Sequence, residues 1–210
     1  MHGCSGLEKY SKRGLNNHPQ FLNQHGFATV IIDSFGSRAS KDYCPNNELL
    51  AKARYFRTFD AFNTLEFLGQ QSYVDRKNIF LVGQSNGGSV AIIVAGGGAS
   101  FGFASDLKYR GVIAYYPWCG MYIDELVSPL LVFGAGKDDW VIPDGCQNQQ
   151  ETVKGEALNV VIYPEAQHSF DLPMRQYNVA GHTVAGHIPS TQDSREKMLK
   201  FFKDHLDLQN

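Results

Sequence analysis

Three kinds of residue in this chain could together perform acyl transfer, and each follows an apolar run. Ser85 stands in Gly83-Gln84-Ser85-Asn86-Gly87, directly after Ile79-Phe80-Leu81-Val82. Asp138 and Asp139 follow Leu130-Leu131-Val132-Phe133-Gly134, and His168 follows Asn159-Val160-Val161-Ile162-Tyr163. A serine hydroxyl attacks a carbonyl only when a base takes its proton, and that base needs an acid to hold its tautomer. Serine, acid and histidine in this order, each just past a strand-like run, match what such a triad requires.

The Gly-x-Ser-x-Gly spelling has a physical reason. The serine must sit in a sharp, strained strand-to-helix turn that pushes its hydroxyl out of the sheet. Gly83 and Gly87 keep the space beside that turn clear, since a Cβ there would meet the adjoining strand or helix. The backbone N–H of Asn86 then lies at a helix N-terminus, where a developing oxyanion is stabilised. Five residues alone also fit a glycine-rich turn with a chance serine, so the motif depends on its context. Of the two aspartates only one can face His168, and the other caps loop N–H groups or pairs with Lys137. Among the remaining histidines, His182 and His187 lie five apart in a polar stretch with no third metal ligand in view. His18, His25 and His205 read as surface or helix-flanking positions.

The elements that must position these residues alternate between strand and helix. Residues 26–33 read as a buried β-branched strand ending in Asp33, and residues 78–82, 112–116, 130–134 and 159–163 as four more. Residues 7–24 hold a short helix interrupted by Gly14 and Pro19. Leu49 to Leu68 is the strongest helix, with Leu50, Ala53, Phe56, Ala61, Leu65 and Leu68 on one face and Arg54, Arg57 and Glu66 on the other. A helix runs from Asn86 to about Ala95, stopped by Gly96-Gly97-Gly98, and residues 199–206 close the chain as an amphipathic helix. Residues 171–192 read as a long polar loop or lid. This alternation predicts a single α/β domain over 1–210, with a mostly parallel sheet covered by helices on both faces.

Composition narrows the function classes. A chain of 210 residues at 43% hydrophobic supports one sizeable core. Net charge is −2 and the 19 basic residues are dispersed, so no phosphate-binding stripe points to nucleic acid. No run approaches the ~18 apolar residues of a membrane span, and no signal-peptide pattern is present. That pattern gives a cytoplasmic expectation for the chain as given, with a periplasmic or secreted one if an upstream signal is missing. The four cysteines, Cys4, Cys44, Cys119 and Cys146, follow no metal-ligand spacing and read as mostly buried thiols with at most one disulfide. No cofactor is implied, because the glycine-rich segments 83–88 and 96–98 lack dinucleotide-binding spacing.

Taken together, these blocks resemble the dienelactone hydrolase family of the α/β-hydrolase fold. The resemblance rests on His2-Gly3-Cys4-Ser5-Gly6, Asp33-Ser34-Phe35-Gly36, Gly83-Gln84-Ser85-Asn86-Gly87-Gly88, Asp138-Asp139-Trp140 with Cys146 behind it, and Tyr163-Pro164-Glu165-Ala166-Gln167-His168-Ser169-Phe170-Asp171. It implies a nucleophile at Ser85, an acid within the 138–139 pair and a base at His168. The Asp-Asp-Trp block favours Asp138 as acid, whereas the Gly136-to-Pro143 spacing favours Asp139. The His2-Gly3 pair implies an oxyanion loop whose second N–H comes from Cys4, and Arg38, Tyr116, Trp118 and Trp140 are candidates for the pocket wall. The archetypal members use cysteine where this chain has Ser85, which turns the expected substrate from a dienelactone to a general carboxylic ester or lactone. No residues before His2 form the strand that usually leads into this loop, so the expected fold is N-terminally truncated. The rival readings are a catalytically inactive binding or structural protein, and an acyltransferase or peptidase on the same scaffold.

Overall fold

The computed structural model describes residues 1–7, 17–98, 107–121 and 123–208. Its first six strands are β1 (Phe80–Gln84), β2 (Gly111–Tyr115), β3 (Glu125–Leu126), β4 (Leu130–Ala135), β5 (Lys154–Gly155) and β6 (Leu158–Tyr163). β1, β2, β4 and β6 lie side by side in one parallel sheet, while β3 and β5 form a separate parallel pair. The register aligns Gln84 with Tyr115, Tyr115 with Phe133, and Ala135 with Tyr163. The C-terminal ends of all four strands therefore open on one edge, where ligands bind in open α/β sheets.

Helices α1 (Asn17–Gln24), α2 (Asn47–Gly69), α3 (Asn86–Ala95), α4 (Asp144–Thr152) and α5 (Ile188–Asp204) cover both faces of that sheet. Alternate side chains decide which helix meets which face. Val112, Ala114, Leu130 and Val132 pack with Leu65 of α2 and with Val90 and Val94 of α3. Ile113, Tyr115, Leu131 and Phe133 pack with Met198, Phe201 and Phe202 of α5 and Leu22 of α1. Burial on both faces explains why these strands are continuously apolar rather than alternating. Each fully buried side chain such as Phe133 or Leu65 stabilises the fold by about 1.5–3 kcal/mol.

Long α2 begins at Asn46, whose side chain accepts the Leu49 N–H at 2.9 Å and caps the helix. Its inward row is Ala53, Arg57, Ala61 and Leu65, all fully buried. Arg57 therefore faces inward, contrary to its expected place on the polar side. A row at i, i+4 is shared by all four positions, and the three apolar members carry the arginine with them.

Further expectations are corrected by the fold. Residues 26–33 join no sheet among the described residues, and Val30 is 63% exposed. Pairing requires a neighbouring strand within about 4.8 Å, and next to Gln84 the β1 edge is taken by Met1. Its carbonyl accepts the Gln84 N–H at 3.1 Å, and its amino group donates to the Val82 carbonyl. Only Phe27 of the 26–33 run packs against the core, on Phe80 and Phe202. The cysteines form two disulfides, Cys4–Cys44 and Cys119–Cys146. No thiol is left free. Within 171–192 the chain forms an antiparallel hairpin, β7 (Tyr177–Val179) with β8 (His182–Val184), turned at Ala180-Gly181 with φ of 50° and 90°. Positive φ at both turn residues suits the twist of a two-residue hairpin. The closing helix starts at Ile188, with Pro189 in its first turn, rather than at 199. Of the short helix expected at 7–24, α1 is the end; residues 8–16 lie outside the described residues.

Candidate active site

Ser85 is the first residue past β1 and the N-cap of α3, with φ 53° and ψ −121°. Such a conformation costs a non-glycine residue roughly 1–3 kcal/mol and persists only where the surroundings enforce it. Here they do. The Ser85 N–H donates to the Tyr115 carbonyl at 2.9 Å, which extends the β1–β2 ladder into the turn. A Cβ on Gly83 would collide with the Gly87 carbonyl, and one on Gly87 would stand 2.5 Å from the His2 carbonyl oxygen. The turn can therefore close only with glycine at both positions.

His168 is brought to Ser85 by the parallel pairing of β4 with β6. The Lys137 N–H donates to the Ala166 carbonyl at 2.9 Å and stitches the loop after β4 to the loop after β6. Across that stitch, His168 Nδ1 lies 2.7 Å from Asp138 Oδ2, and Nε2 lies 2.9 Å from Ser85 Oγ. An ionised carboxylate can only accept, so Nδ1 carries the proton and Nε2 is left to accept the serine hydroxyl. Asp138 is itself held by the Trp140 and Val141 N–H groups, both 2.9 Å from Oδ1. Both Asp138 and His168 are buried.

Of the two aspartates, Asp138 is thus the one on His168. Asp139 faces away and accepts the Thr183 N–H at 3.0 and 3.1 Å, while His182 approaches it at 3.6 Å. Lys137 pairs with Glu165 rather than with either aspartate. Trp140 stacks on His182 and stands 5.0 Å from the His168 ring, and Tyr116 meets that ring edge-on at 4.6 Å. The hairpin reaches the site as well, because the Ala185 N–H donates to the His168 carbonyl at 3.1 Å.

Two cavities flank Ser85. One, of about 250 Å³, is lined by Asn47, Leu50, Arg54, Trp118 and Val141. The other, of about 60 Å³, is lined by Leu172, Met174, Tyr177, Val179 and Val184. Both share Cys4, Ser85, Tyr116, Trp140 and His168. Arg38 lines neither. It makes a two-pronged ion pair with Asp60 at 2.9 and 2.8 Å and lies over Phe56. Arg54 has no carboxylate within ion-pair distance among the described residues; its guanidinium lies 4.5 Å above the Trp118 ring. Burial depresses its pKa.

Beside Ser85, residues 2–4 form a loop fixed from several sides. His2 is fully buried; its Nδ1–H donates to the Gly3 carbonyl at 2.7 Å, and its Nε2 accepts the Ser34 N–H at 3.2 Å. Burial, aided by the Arg57 charge, lowers its pKa to about 3, so the ring is neutral. Cys4 is tied to Cys44, and its carbonyl accepts the Tyr43 N–H at 2.9 Å.

Several residues around the site were not read from the sequence as part of it. Asp171, fully buried, accepts from His18 Nε2 at 2.5 Å, from the Tyr116 hydroxyl at 2.7 Å and from the Gln84 amide. Burial alone would raise its pKa, but hydrogen bonds from His18, Tyr116 and Gln84 reverse this and hold the carboxyl below its ordinary range. His18 is thus a buried partner of Asp171 and not a surface residue. The Tyr116 hydroxyl is pushed well above its usual pKa by burial and by Asp171, so it remains a donor. No periodicity marks His18, since a short helix with one inward histidine looks like a polar one. Arg57, expected on the polar face of α2, was missed as well; its only signal was the i, i+4 row that it shares with Ala53 and Ala61.

Similar proteins agree with this architecture. The model of the "Dienelactone hydrolase family" matches residues 16–206. Among curated proteins none matches the chain. A solved structure of a dienelactone hydrolase-like promiscuous phosphotriesterase from metagenomic libraries superposes with a TM-score of 0.69 at 19% identity, covering 97% of this chain and 84% of that one. The protein designated m3DLH gives 0.72 at 19% identity, over 98% and 85% of the two chains. Est1E from Butyrivibrio proteoclasticus, solved with ferulic acid bound, gives 0.64 at 13% identity, over 98% and 87%. At these identities the structures show a common α/β-hydrolase fold, and the family model covers all the strands of the parallel sheet and both loops that meet at Ser85. The chain belongs to the dienelactone hydrolase family.

Proposed function

We propose that this protein is a serine hydrolase that cleaves a carboxylic ester or lactone through an acyl-serine intermediate. The observation that carries the reading is the continuous hydrogen-bonded path from Ser85 Oγ through His168 to Asp138. In this reading His168 takes the Ser85 proton as the hydroxyl attacks the carbonyl carbon. The backbone N–H groups of Asn86 and Cys4 receive the developing oxyanion, and His168 then protonates the leaving alcohol. Water, deprotonated by the same imidazole, releases the acid and restores Ser85. The residues need no metal or cofactor to perform these steps.

Substrate preference follows from the cavities. Arg54, half-buried beside Ser85 and without an acidic partner among the described residues, favours an ester carrying an anionic group in the larger cavity, with Trp118 as a flat apolar wall. The hairpin side accepts a small apolar substituent. Two disulfides in a chain with no free thiol support work in an oxidising compartment, instead of the cytoplasmic setting expected from the absence of a signal pattern. An inactive binding protein would not need the strained Ser85 conformation kept beside an oriented imidazole.

Fluorophosphonate labelling with mass spectrometry tests the central claim. The probe should attach at Ser85, and the adduct should vanish in Ser85→Ala. A folded chain that takes no label would overturn the reading. In a matched pair of 4-nitrophenyl esters, the hemisuccinate should be preferred to the butyrate, and Arg54→Gln should remove that preference while sparing the neutral ester.

A further inference from the structure

Opposite the imidazole, the two N–H groups assigned to the oxyanion come from segments far apart in sequence. Asn86 opens α3, and Cys4 lies in the loop that starts the chain. What joins them is a side chain of a third element. Arg57 of α2 donates from Nη1 to Asn86 Oδ1 at 2.7 Å and from Nη2 to the His2 carbonyl. The Asn86 amide is pinned to the same helix a second time, since its Nδ2 donates to the Leu50 carbonyl at 3.1 Å. The rigid fork of a guanidinium suits this double hold, because its donors are fixed relative to one another.

Arg57 is also costly to bury, which makes a purely structural role a poor explanation. The side chain is fully buried, and Nε has no hydrogen-bond partner. Asp60 is engaged by both prongs of Arg38 and raises the Arg57 pKa only through space; among the described residues no carboxylate lies within ion-pair distance of Arg57. Its charge reaches the site through Asn86 Oδ1 and the His2 carbonyl, and burial lowers its pKa to about 9. A buried cation without a contacting counter-ion is a recurrent mark of a functional site.

We propose that Arg57 is a positioning residue of the oxyanion hole: one guanidinium clamps both donor-bearing segments and directs its positive charge toward the oxygen that becomes negative. This inference rests on the serine-hydrolase reading and deepens it. Before reaction the clamp fixes the spacing of the Asn86 and Cys4 N–H groups. During attack, the buried charge favours the tetrahedral state over the uncharged ester, so its contribution falls on kcat rather than on substrate binding.

The test compares Arg57→Gln and Arg57→Lys with the parent on a neutral 4-nitrophenyl ester, with rates counted per fluorophosphonate-titrated site. For Arg57→Gln we expect kcat to fall about a hundredfold, as when a single oxyanion donor is removed, with KM nearly unchanged. Affinity for a trifluoromethyl ketone, which forms a tetrahedral adduct on Ser85, should fall in step, while a non-covalent product acid binds as before. Arg57→Lys, which keeps the charge but loses the fork, should lie between. Asn86→Ala removes the Nη1 acceptor from the other end and should reproduce the same split if Arg57→Gln does not fold. Parent-like kcat per titrated site in a folded variant, or equal losses for ketone and product acid, would overturn the clamp. A parent that takes no fluorophosphonate label would overturn the hydrolase reading instead, so the two failures are distinct.

Discussion

At the scale of single residues, adjacent aspartates have separated duties. Asp138 orients the imidazole, while Asp139 reaches over to the Thr183 N–H and holds the hairpin. Asp138→Asn would leave the shape intact but present a group that can donate toward His168 Nδ1, which favours the wrong tautomer. A fall in kcat of about 10⁴-fold is expected from the same substitution in a serine triad. Asp139→Asn should leave kcat nearly unchanged and raise KM, because the loosened hairpin lines the smaller cavity. Steady-state kinetics of the two variants on one ester decides this, and the reverse ranking would move the acid to Asp139. The sequence brought the choice down to two neighbours and no further, since side-chain direction in a loop depends on which backbone N–H groups meet the carboxylate. The Trp140 and Val141 N–H groups meet Asp138.

At the scale of elements, the two disulfides should differ in function though they resemble each other in effect on stability. Cys4–Cys44 spans 40 residues and Cys119–Cys146 spans 27. By loop-closure entropy alone each stabilises the fold by about 3.5–4 kcal/mol. Only the first ties down residues 2–4, from which Cys4 would donate to the oxyanion. Cys44→Ser should therefore lower both Tm and kcat, whereas Cys146→Ser should lower Tm and largely spare kcat. Thermal melts paired with kinetics at 25 °C test the contrast, and equal kcat losses would refute it. Neither pairing was legible from cysteine spacing, because 40 and 27 residues of intervening chain say nothing about which loops return to one another. Helix α2 and the four sheet strands were legible to within two residues, since their apolar periodicity is imposed by burial. The 26–33 run carries the same signal and pairs with nothing among the described residues. Periodicity reports what a segment could bury, while pairing depends on a neighbour being present.

For the whole molecule, His2 and Asp171 are two of the buried groups that shape the response to acid. His2 has an unfolded pKa near 6.5 and a folded one lowered to about 3. The unfolded chain binds the extra proton between these values, so the His2 contribution to stability is full above pH 6.5 and is lost as pH falls toward 3. Asp171 is also depressed, so its contribution is present above the ordinary carboxylate value of about 4 and disappears as pH falls through its folded pKa. Urea denaturation midpoints should therefore decline between pH 6.5 and 4 through His2, and Asp171 adds to the decline below that. His2→Gln should flatten the first part of this decline, and Asp171→Asn should flatten the second while lowering stability at pH 7. A midpoint constant from pH 7 to 4 in the parent would contradict the assignment of His2.

What the sequence by itself determined was the set of strand-ends and the residues that follow them. Apolar runs must be buried, and glycines at 83 and 87 permit only one kind of turn, so Ser85, the 138–139 pair and His168 could be placed on one edge before any coordinates. What only the tertiary structure decided was everything that depends on contacts across the chain. Which aspartate faces His168, which cysteines meet, and which arginine turns inward are each settled by groups 27 to 55 residues away in sequence. Local patterns encode burial and backbone conformation. The direction of a charged side chain is set by whichever distant donor or acceptor compensates its loss of water, and that partner exists only once the fold has formed.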